Sequence, residues 1–248
     1  MAKINLVAHR GYQKQYPENT LISMTGAIRA GARFIEADIQ LSTDQVPFLY
    51  HDRTLKRLSN KTGAIHDYSS EQLTSTPLFE PDRFGKQYVD QMILPLADLV
   101  VLLRENPQVC AFIEVKRCTL DHHGIETVYQ RISDILAPVK NQCILISFSL
   151  PFIQYARAAG FQKIGFVTEF GDQALTKEVD ALAPDYIFCD YETMPTKITD
   201  FHSQKATWVI YEIDRADVAQ SLYDRGIRFI ETFDYVGLRS GLESQGVM

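Results

Sequence analysis

Apolar and polar positions along this chain follow two alternating periods. Short runs rich in β-branched and aromatic residues occupy residues 4–9, 33–39, 110–116, 142–147, 163–168, 185–189, 207–213 and 228–232. Between them lie stretches whose apolar residues recur three and four positions apart. In the first stretch these are Leu21, Met24 and Ile28, one face of an amphipathic helix. Asn19 reads as the N-cap of that helix and Gly31 as the residue just past its end. The sequences AGARFIE at 30–36, AGFQKIGF at 159–166 and RGIRFIE at 225–231 repeat one device. A helix ends in glycine, which supplies a left-handed turn, and a strand follows within a few residues. Eight such βα units predict an α/β fold, the closed (β/α)8 TIM barrel. The alternative, a doubly wound open sheet, usually carries fewer strands and wants a glycine loop at its switch point. Neither a GxGxxG nor a Walker sequence is present.

Residues 53–94 break the rhythm. They carry turn residues, the aromatics Tyr68, Phe79, Phe84 and Tyr88, and one short helical signal with Ser69 as N-cap and Gln72 three positions on. The stretch is too long for a plain βα loop. It is expected as a small cap on the C-terminal face of a single catalytic barrel domain covering residues 1–248. The size agrees, since 248 residues suit one such barrel.

The net charge of −6 comes without any basic run. This removes the electrostatic footprint expected of nucleic-acid binders and of proteins drawn to anionic membranes. No apolar run approaches the roughly 20 residues of a membrane span. The N-terminus lacks the apolar core of a signal peptide. The four cysteines, Cys110, Cys118, Cys143 and Cys189, lie far apart and read as reduced packing residues. Together these features lead to the expectation of a cytoplasmic protein acting on a small molecule; oligomeric state leaves no signature in the sequence.

Chemistry-bearing residues gather at the ends of predicted strands. The first ends in His9-Arg10-Gly11, the second carries Glu36 and Asp38, and the third carries Glu114 and Lys116. An extended run at 46–50 leads into His51-Asp52. Side chains alternate across a strand, so Glu36 shares a face with Asp38, and Glu114 with Lys116. Facing inward, these four would enter the barrel mouth together, where burying charge is costly unless a ligand uses it. Two carboxylates about 4 Å apart repel by roughly 4 kcal/mol at an effective dielectric near 20. A divalent cation relieves that repulsion, and an all-oxygen set of Glu36, Asp38 and Glu114 suits Mg²⁺ or Ca²⁺. With Arg10 and Lys116 added, the set carries one net positive charge, which a phosphodiester monoanion neutralises. Arginine offers a planar fork to phosphate oxygens and lysine a point charge. Phosphodiester cleavage also needs a base for the attacking oxygen and an acid for the leaving alkoxide, and His9 and His51 titrate in the useful range.

The order of these motifs resembles the glycerophosphodiester phosphodiesterase family nearly end to end. HRG at 9–11 and PENT at 17–20 look like its first motif, residues 34–52 like its second, and IEVK at 113–116 like its third. Pro95-Leu96 and Ile146-Ser147-Phe148 fall where the family has similar residues. The resemblance implies a barrel with a small insertion, Glu36, Asp38 and Glu114 as metal ligands, His9 and His51 as the acid/base pair, and Arg10 and Lys116 on phosphate. It implies that Glu18 and Asn19 order the site. The implied reaction releases sn-glycerol 3-phosphate and an alcohol, through attack by the substrate's own glycerol hydroxyl and a cyclic phosphate that water opens. Two stretches depart from the pattern: Tyr211-Glu212-Ile213-Asp214 replaces an aromatic followed by Thr-Val-Asn, and Phe233 stands between Thr232 and Asp234.

Three other readings compete. A lysophospholipase D-type enzyme would need an apolar groove for an acyl chain. A non-catalytic phospho-ligand binder would have lost a histidine or a carboxylate. An amidohydrolase-type barrel would carry HxH on its first strand. His122 and His123 read as a solvated helix start, His66 and His202 as surface residues and Trp208 as core. Phe148 and Tyr211 fit pocket lining and plain packing equally well. Glu212 and Glu231 flank strand ends, a position open to a supporting role behind the site, and neither is singled out.

Overall fold

The computed structural model describes residues 3–246. Its strands are β1 (Asn5–Ala8), β2 (Phe34–Leu41), β3 (Pro47–Leu49), β4 (Cys110–Val115), β5 (Cys143–Ser147), β6 (Ile164–Thr168), β7 (Tyr186–Asp190), β8 (Thr207–Tyr211) and β9 (Phe229–Thr232). Its helices are α1 (Leu21–Arg29), α2 (Lys56–Ser59), α3 (Ser70–Thr74), α4 (Pro81–Phe84), α5 (Leu96–Glu105), α6 (Arg117–His123), α7 (Ile125–Leu136), α8 (Leu150–Ala158), α9 (Lys177–Leu182), α10 (Ala216–Asp224) and α11 (Tyr235–Ser244). Neighbouring strands pair in parallel from β1 through β9, β8, β7, β6, β5 and β4 to β2, and β1 pairs with β2 to close the barrel. Among the described strands only β3 runs antiparallel, against the end of β2. The eight predicted barrel strands are therefore the eight observed.

Strand parity sorts the core into two layers. Leu6, Ala8, Ile35, Ala37, Ile113 and Val115 face outward and pack with helix residues such as Met24, Leu99 and Ile132. Val7, Phe112, Ile144, Ile146, Val167, Phe188 and Val209 face inward and fill the barrel. Aromatic rings floor that interior: Phe112 meets Phe188 at 4.9 Å and Tyr186 at 5.1 Å, and Phe34 meets Phe229 at 4.9 Å. Each of Phe34, Phe112 and Phe229 is followed two positions later, on the same face, by a glutamate: Glu36, Glu114 and Glu231. The apolar plug thus gives way to a charged layer toward the C-terminal ends of the strands.

The three repeated helix-ending glycines, Gly31, Gly160 and Gly226, all adopt positive φ, at 96°, 83° and 100°. Asn19 does not cap α1. Thr20 does, accepting from the Ser23 amide at 3.3 Å in a reciprocal capping box, and Asn19 turns away at φ 56°. His122 and His123 also differ from expectation: they close α6 rather than starting a helix, and Gly124 ends it at φ 80°. His122 stacks on His66 at 4.1 Å.

Residues 53–94 form the insertion on the C-terminal face. It has a small core of its own, in which Leu55, Leu58, Ile65, Leu73, Leu78 and Ile93 pack on Phe48 and Tyr50. The Ser69–Gln72 capping box forms as predicted. Side chains of the insertion grip the loop after β1: Arg83 donates to the Gln13 carbonyl at 2.6 Å, Tyr88 to the Gln15 carbonyl at 3.1 Å, and Glu80 accepts from the Glu18 amide at 2.6 Å. Among the described residues no helix is long and apolar enough to cross a membrane. Trp208 and the cysteines Cys143 and Cys189 are buried in the core.

Candidate active site

The charged layer is built by neighbouring strands. His9 and Arg10 follow β1, Glu36 and Asp38 lie on β2, and Glu114 on β4 with Lys116 just after it. The parallel register sets Asp38 beside Glu114. Ligand-capable atoms of Glu36, Asp38 and Glu114 lie within 4.8 Å of one another, all on buried residues. The Oε1 atom of Glu36 is buried with no hydrogen-bond partner. A carboxylate oxygen left bare in this way suits a hard cation, which asks for oxygen ligands and no donor.

The cations of the site hold the carboxylates in place. Lys116 Nζ lies 2.6 Å from Glu114 Oε1 and 3.1 Å from Asp38 Oδ1. Arg10 Nε lies 3.1 Å from Asp38 Oδ2, its Nη1 donates to Glu18 Oε1 at 3.0 Å, and its backbone amide donates to Glu36 Oε2 at 3.1 Å. Asn19 donates to Asp38 Oδ2 at 2.8 Å and accepts from the Asp38 amide at 3.2 Å. These neighbours divide the carboxylates. Burial would push Asp38 up, but Lys116 and Arg10 overcome it and hold Asp38 well below the usual range. Burial pushes Glu36 far up, reinforced by Asp38 and Glu231. Burial would lower Arg10 and Lys116, yet Asp38 holds both above their ordinary values, with Glu18 helping at Arg10 and Glu114 at Lys116.

The local backbone explains why the first motif needs its glycine. Gly11 has φ 82°, and a Cβ there would lie 2.6 Å from the Ser23 carbonyl carbon. The loop can therefore press onto α1 and keep His9 and Arg10 over the barrel. His9 stacks on Phe233 with ring centres 4.6 Å apart, and its Nε2 lies 3.7 Å from Glu36 Oε2. Burial first, then Arg10, lowers its pKa well below the usual value, which favours the neutral imidazole over the imidazolium.

His51 stands across the mouth, with Nδ1 2.9 Å from Asp52 Oδ1. Its backbone is held by Gln40, whose Nε2 reaches the carbonyls of Tyr50, His51 and Asp52 at 2.9, 3.2 and 2.8 Å. Arg57 of α2 grips Asp52 through Nε and Nη2 at 2.8 and 2.7 Å, and grips Glu18 through Nη1 and Nη2 at 3.0 and 2.9 Å. A continuous ion-pair chain thus runs from Asp38 through Arg10, Glu18, Arg57 and Asp52 to His51. Phe148 and Tyr211 are half-buried and pack on the inward-facing cluster; Tyr211 also donates to the Thr168 carbonyl at 3.4 Å.

The seven residues singled out from the sequence therefore converge, with Glu18 and Asn19 supporting them. Three others carry weight that the sequence reading did not assign. Gln40 continues the inward parity of Glu36 and Asp38. Arg57 acts through Asp52. Glu231, 3% exposed, points into the charged layer with Oε1 unpartnered; burial first, then Glu114, pushes its pKa far up. A cleft of about 820 Å³ lies at the other end of the barrel, among Lys163, Asp185, Lys205 and Trp208, and holds none of this set.

The sequence pattern of the glycerophosphoryl diester phosphodiesterase family matches residues 9–232. A glycerophosphodiester phosphodiesterase of Caldanaerobacter subterraneus subsp. tengcongensis is 26% identical over 241 residues, covering 94% of this chain and 95% of the relative. Glycerophosphodiester phosphodiesterase 1 of Mus musculus is 29% identical over 164 residues, covering 65% of this chain and 47% of the relative, so the match spans about half of that longer protein. In fold, the chain is similar to an Oleispira antarctica phosphodiesterase solved with the product sn-glycerol-3-phosphate, at TM-score 0.86 and 20% identity over 97% of each chain. It is also similar to a glycerophosphodiester phosphodiesterase from Agrobacterium tumefaciens, at TM-score 0.77 and 19% identity over 96% of this chain and 99% of that one. With its motifs in order and the family pattern spanning the barrel from the end of β1 to the end of β9, the chain belongs to the glycerophosphoryl diester phosphodiesterase family.

Proposed function

We propose that this protein hydrolyses glycerophosphodiesters to sn-glycerol 3-phosphate and an alcohol, with Glu36, Asp38 and Glu114 holding a Mg²⁺ or Ca²⁺ ion. The observation that carries the reading is the convergence of these three buried carboxylates within 4.8 Å, in the same mouth as His9, His51, Arg10 and Lys116. Such an ion, when bound, polarises a phosphoryl oxygen and offsets the charge that develops on it.

The remaining work falls to the side chains. Lys116 has three N–H donors and spends two on Asp38 and Glu114, which leaves one for a phosphate oxygen. Arg10 has five N–H donors and likewise keeps some in reserve. His9, neutral through burial, accepts the proton of the attacking oxygen. His51, with Nδ1 fixed on Asp52, presents Nε2 to the leaving alkoxide and protonates it. Asn19 and Glu18 keep Asp38 and Arg10 in register. Phe148 and Tyr211 form the wall beside the organic part of the substrate. The domain extends over the whole barrel, with the insertion at 53–94 as its cap.

The test is a panel of glycerophosphodiesters, assayed after chelation and after return of Mg²⁺ or Ca²⁺ separately, with lysophosphatidylcholine as a control. Turnover of glycerophosphocholine or glycerophosphoethanolamine that disappears with chelator and returns with metal supports the reading. Activity indifferent to chelator removes the cation, and turnover of the lysolipid alone moves the substrate class.

A further inference from the structure

The proposed reaction uses three of the four acidic side chains in the charged layer and leaves Glu231 without a task. Glu231 sits on β9, the strand beside β1, opposite Val7. From there its carboxyl reaches Glu36 across the β1 strand that separates β9 from β2. Donor atoms of His9, Glu36 and Glu231 lie within 4.8 Å of one another, on three residues that are all buried. Each of the three also has a buried polar atom with no hydrogen-bond partner: His9 Nδ1, Glu36 Oε1 and Glu231 Oε1. A buried polar atom without a partner costs free energy unless a ligand reaches it.

Building on the proposed function, we propose that His9, Glu36 and Glu231 form a second divalent-cation site next to the first, sharing Glu36, and that a Zn²⁺-class ion bound there blocks turnover by occupying His9. The donor chemistry separates the two sites. Glu36, Asp38 and Glu114 offer oxygen alone, which suits Mg²⁺ and Ca²⁺. An imidazole nitrogen with two carboxylates is a mixed set of the kind that zinc takes, with a fourth position open. An imidazole nitrogen that coordinates a cation has no lone pair left for a proton, so the second ion and the base function of His9 exclude each other. Loss of Glu231 removes a ligand of the second site and none of the first.

The experiment uses the full chain loaded with Mn²⁺, exposed to ZnCl₂, desalted and analysed for both metals, in the wild type and in Glu231→Gln. In parallel, zinc is titrated into the Mg²⁺-saturated enzymes during turnover. The expected result is one Mn and one Zn per wild-type chain, and one Mn without Zn in Glu231→Gln. Half-inhibition of the variant should require roughly tenfold more zinc, or more, while its Mg²⁺ activation midpoint stays at the wild-type value. Glu231→Asp, which shortens the ligand's reach, should shift the zinc midpoint the same way and guards against a folding defect in the first variant. Zinc that displaces manganese, or that inhibits wild type and both variants alike, overturns the second site and leaves the first standing. A wild-type chain that binds neither metal overturns both.

Discussion

Replacing Arg57 with alanine opens the ion-pair chain between the clustered carboxylates and His51. Arg57 makes four charge-assisted hydrogen bonds, two to Asp52 and two to Glu18. The Glu18 side chain is fully buried, whereas that of Arg57 is 42% exposed. Removing one partner of a buried pair costs roughly 3–5 kcal/mol, and an exposed pair is worth about 0–1 kcal/mol. The half-exposed clamp falls between, at about 2–3 kcal/mol, because Glu18 keeps Arg10 and Gln13 as partners. For a chain of this size that lowers Tm by roughly 4–12 °C. The pH dependence has a definite sign. Burial opposes ionisation of Asp52, but its bonds to His51 and Arg57 hold it below the usual carboxylate range; at Glu18, Arg10 and Arg57 likewise outweigh burial. Depressed carboxylates contribute stability above their unfolded pKa and lose it as pH falls through the folded value. Arg57→Ala therefore narrows the stability difference between neutral and acid pH. In turnover, Asp52 no longer fixes His51, so kcat should fall about 10- to 100-fold, with KM nearly unchanged. Arg57→Lys, which keeps the charge but not the fork, should lie between. Thermal melts at pH 7 and pH 4 with steady-state kinetics read these effects. An Arg57→Ala enzyme with wild-type Tm and kcat would show that the Glu18–Arg57–Asp52 clamp neither stabilises the fold nor positions His51.

Other substitutions separate the roles of the site. His9→Ala and His51→Ala should each reduce kcat by about 10²- to 10⁴-fold, with far-UV circular dichroism unchanged; retained turnover in either removes that histidine from proton transfer. Gly11→Ala combines a disfavoured φ of 82° with a Cβ placed 2.6 Å from the Ser23 backbone. It should destabilise the fold by roughly 2–4 kcal/mol, and a urea midpoint equal to that of wild type would contradict this. Asp44 shows a small desolvation cost outweighed by bonds from Ser42 and Ser70, leaving its pKa at about 2. Its contribution is present above the unfolded value near 3.9 and fades as pH falls through about 2. Asp44→Asn should therefore lose less stability than wild type between those pH values, as followed by urea midpoints.

The barrel was legible because its signals are local. β-branched runs and helix-closing glycines lie within a few residues of each other, and all eight barrel strands fall within two residues of their predicted limits. The site's inward parity was legible for the same reason: Glu36 shares a face with Asp38 within β2, and Lys116 follows Glu114 two positions on at the end of β4. What escaped depends on closure. Asn19 reads as an N-cap from its neighbours alone, yet Thr20 takes that role, and the bond of Asn19 to Asp38, 19 positions away, matches the site-ordering role that only the family resemblance offered. Arg57 meets Glu18 across 39 positions, a distance over which no periodicity speaks. Glu231 shares the parity of Phe229, but its depth beside His9 follows from the β1–β9 register. Phe148 and Tyr211 left two readings open because both sit at the boundary between the plug and the mouth, where the same side chain packs and lines.

The proposed activity needs three carboxylates and two histidines acting together on a glycerophosphodiester. The most direct measurement follows glycerophosphocholine by ³¹P NMR with the purified chain, with Mg²⁺, with chelator, and with Asp38→Asn in place of wild type. The phosphodiester signal is expected to give way to that of sn-glycerol 3-phosphate with Mg²⁺ alone, and to persist with chelator and with the variant. Phosphocholine as the product, or equal conversion under all three conditions, would contradict the proposed activity.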